Sequence, residues 1–237
     1  MHSGNRRHGI ARSLSKLGVA SRSIAAGWVS DGRIAVNGRV VRDPEFPVVA
    51  DRDQLTLDGQ PLVAAKKRYL MLNKPRGLVT TTTDEKGRDT VYRCFDGAGL
   101  SWLAPVGRLD KASEGLLLFS NDPEWAARIT DPATSPDKTY HVQISAAPDA
   151  ELLQRLVAGI NCEDGRLAAK SATLIRSGEK NAWLEIVLDE GRNRHIRRLL
   201  KAHGMGVLRL IRIAIGPLQL GTLPKGQWRW LEPHEYR

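Results

Sequence analysis

The stretch Pro105–Phe119 constrains the fold more than any other part of this 237-residue chain. It reads Pro105-Val-Gly-Arg-Leu-Asp110-Lys-Ala-Ser-Glu-Gly-Leu-Leu-Leu-Phe119. The run Gly115-Leu-Leu-Leu-Phe119 has the pattern of a short strand buried in a core. The loop that feeds it carries Arg108, Asp110 and Lys111. A carboxylate therefore sits at the edge of the core. An aspartate in such a loop ordinarily hydrogen-bonds its own backbone, so position alone assigns it no chemistry.

The sequence around this strand supplies further strands and few helices. Residues 69–72, 139–144, 182–188, 207–213, 218–222 and 228–231 read as strands. Asn73-Lys-Pro-Arg-Gly77 reads as a turn. Asp122 caps a helix with Pro123 in its first position, and Asp131-Pro132 stops it. An amphipathic helix is expected over 148–157, and another opens at Asn193 and ends near Gly204. This pattern predicts an α+β domain on a mainly antiparallel mixed sheet flanked by helices.

The first sixty residues read differently. Ile10, Leu14 and Leu17 lie at helical spacing before Gly18. Ser21 is an N-cap for a second helix, with Ile24, Ala25, Trp28 and Val29 as its apolar stripe. In Arg33-Ile-Ala-Val-Asn-Gly-Arg-Val-Val41, Asn37-Gly38 between β-branched residues signals a hairpin. A further strand covers 54–57, and Ala64-Ala-Lys-Lys-Arg68 is a polar linker. The expected division is 1–62 and 63–237.

Charge follows the same division. The chain carries a formal +10, from 36 Lys and Arg against 26 Asp and Glu. Residues 1–42 hold eight basic residues and one acid, and residues 190–212 hold seven and one, so the remainder is slightly acidic. Two basic segments on an acidic body point to a polyanionic partner such as nucleic acid. In the second segment, Ile196, Leu199, Leu200 and His203 form a core stripe, while Arg194, Arg197, Arg198 and Lys201 line an adjacent face. No acid at i,i+4 relieves that row; a phosphate backbone would, or one arginine could turn inward to a carboxylate.

Other classes are disfavoured. The two cysteines, Cys94 and Cys162, lie far apart and support neither a disulfide scaffold nor a thiolate zinc site. No metal-ligand spacing and no Gly-rich phosphate loop is found, so neither metal nor cofactor is expected. No signal-peptide core or membrane span is visible, and a cytoplasmic monomer is expected.

Residues 8–60 resemble the S4 RNA-binding domain, through Ala11-Arg-Ser-Leu-Ser-Lys-Leu-Gly-Val-Ala-Ser-Arg22 and Gly32-Arg-Ile-Ala-Val-Asn-Gly38. Gly107-Arg-Leu-Asp110 with Gly115-Leu-Leu-Leu118 resembles the catalytic loop of pseudouridine synthases. More closely, the chain is similar to the RsuA/RluB/RluE/RluF family of ribosomal RNA pseudouridine synthases. Three further stretches agree in order: Asn73-Lys-Pro-Arg-Gly77, Lys138-Thr-Tyr-His-Val142, and Glu190-Gly-Arg-Asn-Arg-His-Ile-Arg-Arg198 with Leu208-Arg-Leu-Ile-Arg212 and Ile215-Gly-Pro217. Departures are slight. His195 stands where Gln is commoner, Ser113 where Thr is often found, and Asp122-Pro123 where Asp-Gly is frequent.

The resemblance implies isomerisation of a uridine in rRNA, with the large-subunit 23S RNA slightly favoured over 16S. Asp110 would be the nucleophile and Arg197 its buried ion-pair partner. Tyr140 would pack on the flipped base and help remove the C5 proton, and Leu210 would be the apolar wall. Arg108 would fill the gap left by the base or grip its phosphate. Arg192, Asn193, Arg194 and Arg198 would hold the RNA backbone nearby. Arg12, Lys16, Arg22, Arg33, Asn37 and Arg39 would be the contacts of the S4-like unit. The partner is rRNA or an rRNA-containing assembly intermediate. The competing reading is a non-catalytic RNA-binding or ribosome-assembly factor.

Overall fold

The computed structural model describes residues 7–49, 52–82, 84, 86–163 and 165–236. They form two compact units. The first runs to Tyr69 and includes Leu100–Ala104 and Ser120–Trp125. It opens with β1 (His8–Gly9), α1 (Ile10–Lys16) and α2 (Arg22–Ser30). Then follow β2 (Ile34–Val36), β3 (Arg39–Val40), β4 (Pro47–Val48), β5 (Leu55–Leu57) and β6 (Gln60–Pro61). Ile10, Leu14, Ala25, Val29, Ile34, Val48 and Leu55 make the core between helices and strands. The Ser21 Oγ accepts the Ile24 amide at 3.1 Å, as an N-cap must. Val36 pairs with Arg39, so the hairpin tip has two residues, Asn37 and Gly38, both at positive φ (50° and 81°). That is the type I′ geometry Asn-Gly favours. The strands form one antiparallel sheet in the order β3-β2-β5-β6.

The second unit holds most of the remaining chain and a nine-stranded sheet. Its strands are β7 (Tyr69–Lys74), β8 (Ala104–Val106), β9 (Glu114–Ser120), β10 (Lys138–Ile144), β13 (Ser171–Ser177), β14 (Ala182–Leu188), β15 (Val207–Ile215), β16 (Leu218–Gln219) and β17 (Trp228–Trp230). A separate pair, β11 (Ile160–Cys162) and β12 (Gly165–Leu167), stands outside it. The order is β13-β14-β10-β15-β9-β7-β17. The helices are α3 (Pro123–Thr130), α4 (Leu152–Ala158), α5 (His195–Ala202) and α6 (Pro233–Tyr236), with one 3-10 turn at Val91–Phe95. None of the described helices is long and apolar enough to cross a membrane.

Periodicity explains the layering. All seven residues of β9 are buried, as its apolar run requires of a covered strand. In β10 and β14 every second residue is buried. Lys138, Tyr140 and Val142 share one face with Leu184, Ile186 and Leu188. On β15 that face continues through Leu210 and Arg212, because Val142 pairs with Leu210 and Tyr140 with Arg212. A bulge between Thr139 and Tyr140 sets this register.

Local boundaries differ from the sequence reading where polar side chains intervene. The 148–157 helix begins only at Leu152, because the Asp149 carboxylate accepts the Leu152 amide at 2.7 Å and so ends the turn before it. The helix placed at Asn193 begins at His195, because Arg194 takes a left-handed conformation with φ 50°. The edge strand Ser171–Ser177 carries no alternation and was not expected. By contrast, α3 starts as read, with the Asp122 carboxylate accepting the Glu124 and Trp125 amides.

A parallel pairing joins β9 to β15, with Gly115 opposite Arg212. A Cβ at Gly115 would lie 2.2 Å from the Arg212 carbonyl oxygen, and φ there is 101°. Only glycine lets the two backbones meet. Gly115→Ala is expected to destabilise the fold by about 3 kcal/mol or more. A urea denaturation midpoint unchanged from wild type would refute this.

Candidate active site

Residues 109–113 form a turn whose carbonyls are taken one after another. The Thr80 hydroxyl donates to the Leu109 oxygen at 2.8 Å. The Lys74 ammonium donates to the oxygens of Asp110 (3.3 Å) and Ser113 (2.9 Å), and to that of Pro75 (3.0 Å). The Gly77 amide donates to Lys111 at 2.8 Å, and the Ser113 amide to Asp110 at 2.9 Å. The Arg197 guanidinium donates to Ala112 at 3.1 Å. Strand β7 and its Asn73-Lys-Pro-Arg-Gly77 turn thus grip the loop from one side and α5 from another. Lys74 is fully buried. Burial pulls its ammonium down from 10.5 to about 8, against the opposing pull of Asp110 and Glu114.

The Asp110 carboxyl is about one-third exposed. The cation nearest it is Arg194, whose Nη1 lies 3.8 Å from Oδ2. The left-handed backbone at Arg194 directs the chain there from the start of α5. This corrects the expectation for Arg197. Its Nη atoms donate to the carbonyls of Ala112 and Val207, and no ion pair within 4.0 Å joins it to Asp110. Burial lowers the Arg197 pKa, Arg194 adds to that, and Asp110 opposes it. Arg197 acts on Asp110 through the loop backbone and through its field.

Asp110 opens onto a cavity of about 560 Å³. Tyr140 and Leu210, both 7 % exposed, lie on its wall with Lys138 and Arg212. The buried His195 ring sits 3.5 Å from Glu190; burial lowers its pKa and Glu190 opposes that. A second cavity of about 390 Å³ shares Arg108, Leu109 and Asp110 with the first and includes Asn193, Lys86 and Arg88. Arg108, Asn193 and Arg194 are exposed; Arg192 and Arg198 are half-buried, and Arg192 donates to Glu190 at 2.9 Å. Of the residues expected at the site, Arg108, Asp110, Tyr140, Arg192, Arg194 and Leu210 line this cavity, whereas Asn193, Arg197 and Arg198 do not. Sequence reasoning missed Lys74, Thr80, Lys138 and Arg212 as parts of the site. Only Arg212, between Ile211 and Ile213 on β15, carries a sequence signal, a cation at a strand position with apolar neighbours.

In the first unit, Arg12, Lys16, Arg22, Arg33, Asn37 and Arg39 are all exposed. Three of them are engaged: the Lys16 ammonium lies 3.8 Å from the Glu124 carboxylate and 3.5 Å from the His8 ring. Arg33 grips Asp58 through Nε and Nη2, at 2.5–3.2 Å. Asn37 donates to Asp53 and accepts the Gln54 amide, so its side chain braces the hairpin. Among the described residues, no group of three His, Cys, Asp or Glu side chains could hold a metal ion.

Replacing Lys74 by methionine takes this donor from the Pro75 and Ser113 carbonyls, leaves that of Asp110 with the Ser113 amide alone, and is expected to cost about 2 kcal/mol at pH 7. The pH dependence has a definite sign. The folded pKa lies below the unfolded one, so the cost of burying the charge is fully present below pH 8. It is relieved as pH rises toward 10.5. Wild-type stability relative to Lys74→Met should therefore grow by roughly 3 kcal/mol across that window. Parallel urea titrations of both proteins that give a flat difference would contradict the assignment.

A family model described as RNA pseudouridylate synthase matches residues 68–202. A model of the S4 domain matches residues 10–52. An uncharacterized RNA pseudouridine synthase of Aquifex aeolicus (strain VF5) is 39% identical over 235 residues, 95% of this chain and 91% of that protein. The ribosomal large subunit pseudouridine synthase B of Bacillus subtilis (strain 168) is 35% identical over 96% of this chain and 93% of its own length. A crystal structure of a pseudouridylate synthase superposes with a TM-score of 0.66 at 28% identity, covering 98% of both chains. In sequence and in fold alike, the chain belongs to the RNA pseudouridylate synthase family, in its RsuA/RluB group with an amino-terminal S4 domain.

Proposed function

We propose that this pseudouridine synthase converts one uridine of ribosomal RNA, in the 23S rather than the 16S molecule, and that Asp110 is its nucleophile. The observation that carries the reading is the clamped turn. An aspartate stands at the mouth of a base-sized cavity on a loop whose five consecutive carbonyls are all held. Such rigidity suits a group that must meet a reacting atom at a fixed distance. Relatives named for the ribosomal large subunit support the choice of RNA. The uridine leaves its stack to enter the cavity, and Tyr140 and Leu210 face the ring. Arg194 faces the Asp110 carboxylate, and Arg197 holds the turn that carries it. Arg108 fills the place of the flipped base, while Arg192, Asn193 and Arg198 hold the flanking backbone.

In this reading residues 1–62 are the RNA-binding domain and 63–237 the catalytic domain. Arg12, Lys16, Arg22 and Arg39 meet phosphates, and Arg33 and Asn37 shape the surface that carries them. The protein works as a cytoplasmic monomer without a cofactor, since the reaction gains and loses no atoms.

Asp110→Asn is expected to keep RNA affinity and to abolish pseudouridine formation. Mapping pseudouridines in rRNA from cells with and without the gene should show one site missing from the 23S molecule. Formation by the Asn variant would remove the nucleophile from Asp110. Replacing Arg12, Arg22 and Arg39 together by glutamine should reduce the slope of log affinity against log salt by roughly 2. An unchanged slope would remove these residues from the RNA interface.

A further inference from the structure

The floor of the cavity holds two buried cations with no acid to match them. Lys138, Tyr140 and Leu188 on β10 and β14, and Leu210, Arg212 and Ile215 on β15, share one face of the sheet and line the cavity. Arg212 is 4 % exposed and Lys138 is 9 % exposed. The Arg212 Nε donates to the Leu116 carbonyl at 2.8 Å, while its buried Nη2 has no partner among the described residues. Lys138 gives two of its three N–H groups to the Ser135 hydroxyl and the Pro136 carbonyl, both at 3.0 Å. No carboxylate lies within 4.0 Å of either cation among the described residues. The buried Glu114 is taken up by Arg209 and Lys225, and Asp137 and Asp189 act on Lys138 only through their field. Burial lowers the Lys138 pKa and Arg212 lowers it further, so the two charges are close enough to repel.

Such an arrangement is costly unless an electron-rich ligand completes it. The rest of the floor is aromatic and aliphatic, which suits a flat ring and would strip a phosphate of water without compensation. We propose that Arg212, with Lys138 beside it, donates to a carbonyl oxygen of the flipped uracil and stabilises the negative charge that the ring acquires during the reaction. This rests on reading the cavity as the uridine pocket. The charge arises on either course of attack. Attack at ribose C1′ breaks the C1′–N1 bond and sends its electron pair into the base, onto O2 and O4. Attack at ring C6 sends the C5–C6 pair toward O4. In both cases C5 then bonds to C1′ and the carboxylate leaves, displaced from C1′ on the first course and eliminated from C6 on the second, where the C1′–N1 bond breaks as the base turns. The proton lost from C5 is balanced by one gained at N1, and no oxidant or reductant is involved. Donors fixed in a dry floor are the arrangement that makes such a charge cheap.

The test uses the full-length enzyme and an rRNA fragment carrying the mapped uridine, or 2-thiouridine or 4-thiouridine in its place. Sulfur is a poor hydrogen-bond acceptor. In single turnover the wild type should slow about tenfold with sulfur at the contacted position. Arg212→Lys should bind RNA as tightly as wild type but react about 10²-fold more slowly with uridine. Its uridine-to-thiouridine rate ratio should fall toward one. Lys138→Arg gives an independent variant, and its ratio should fall in the same direction. Equal wild-type rates with uridine and both thiouridines would overturn the proposal without any variant. Slow variants that keep the full sulfur penalty would overturn it too, since they show support of the fold alone. A wild type that makes no pseudouridine on this RNA, or an Asp110→Asn variant that does, would instead defeat the underlying reading.

Discussion

The second unit depends on how it satisfies the backbone of residues 109–113. Carbonyls need donors, and this turn supplies only one from within, the Ser113 amide to Asp110. The others come from four sequence-distant places: Thr80, Lys74, the Gly77 amide and Arg197. The fully buried ammonium is the most demanding of these, because its burial is unfavourable until its donors find oxygen. Lys74 therefore binds the loop and needs it in equal measure. The position of Asp110 follows from this mutual requirement rather than from any contact of its own carboxylate.

The sheet supplies the second constraint. Gly115 brings β9 against β15 in a parallel pairing, and one face of β15 carries Leu210 and Arg212. The bulge after Thr139 sets Tyr140 opposite Arg212. Loop and floor thus share a single origin at the start of β9. A change there reaches the carboxylate, the wall and the buried guanidinium together.

Much of this was legible in the sequence, and the rest had physical reasons to be hidden. Alternation disclosed β10 and β14 because one face of each is buried. Asn37-Gly38 disclosed its hairpin because few residues accept positive φ. Asp110, Tyr140 and Leu210 were found through motifs, and they share a cavity. The strand Ser171–Ser177 escaped because an edge strand with six of seven residues exposed has no periodicity to show. Arg197, placed against Asp110 by its motif, bonds the loop carbonyls instead, and Arg194 comes to Asp110 because its φ lies outside the helical range that spacing assumes. Lys74 and Arg212 were hidden because a cation reads as a surface residue until its surroundings are known.

The bidentate pairing of Arg33 with Asp58 in the first unit bears on how that unit is felt from afar. A formal charge count treats Arg33 as a monopole, but paired to Asp58 it is a dipole, whose field fades quickly with distance. Ions screen what remains beyond about 8 Å at physiological salt. Arg12, Arg22 and Arg39 have no ion pair within 4.0 Å among the described residues. The charges of those three therefore reach further into solvent than that of Arg33, which any polyanion meets only in competition with Asp58.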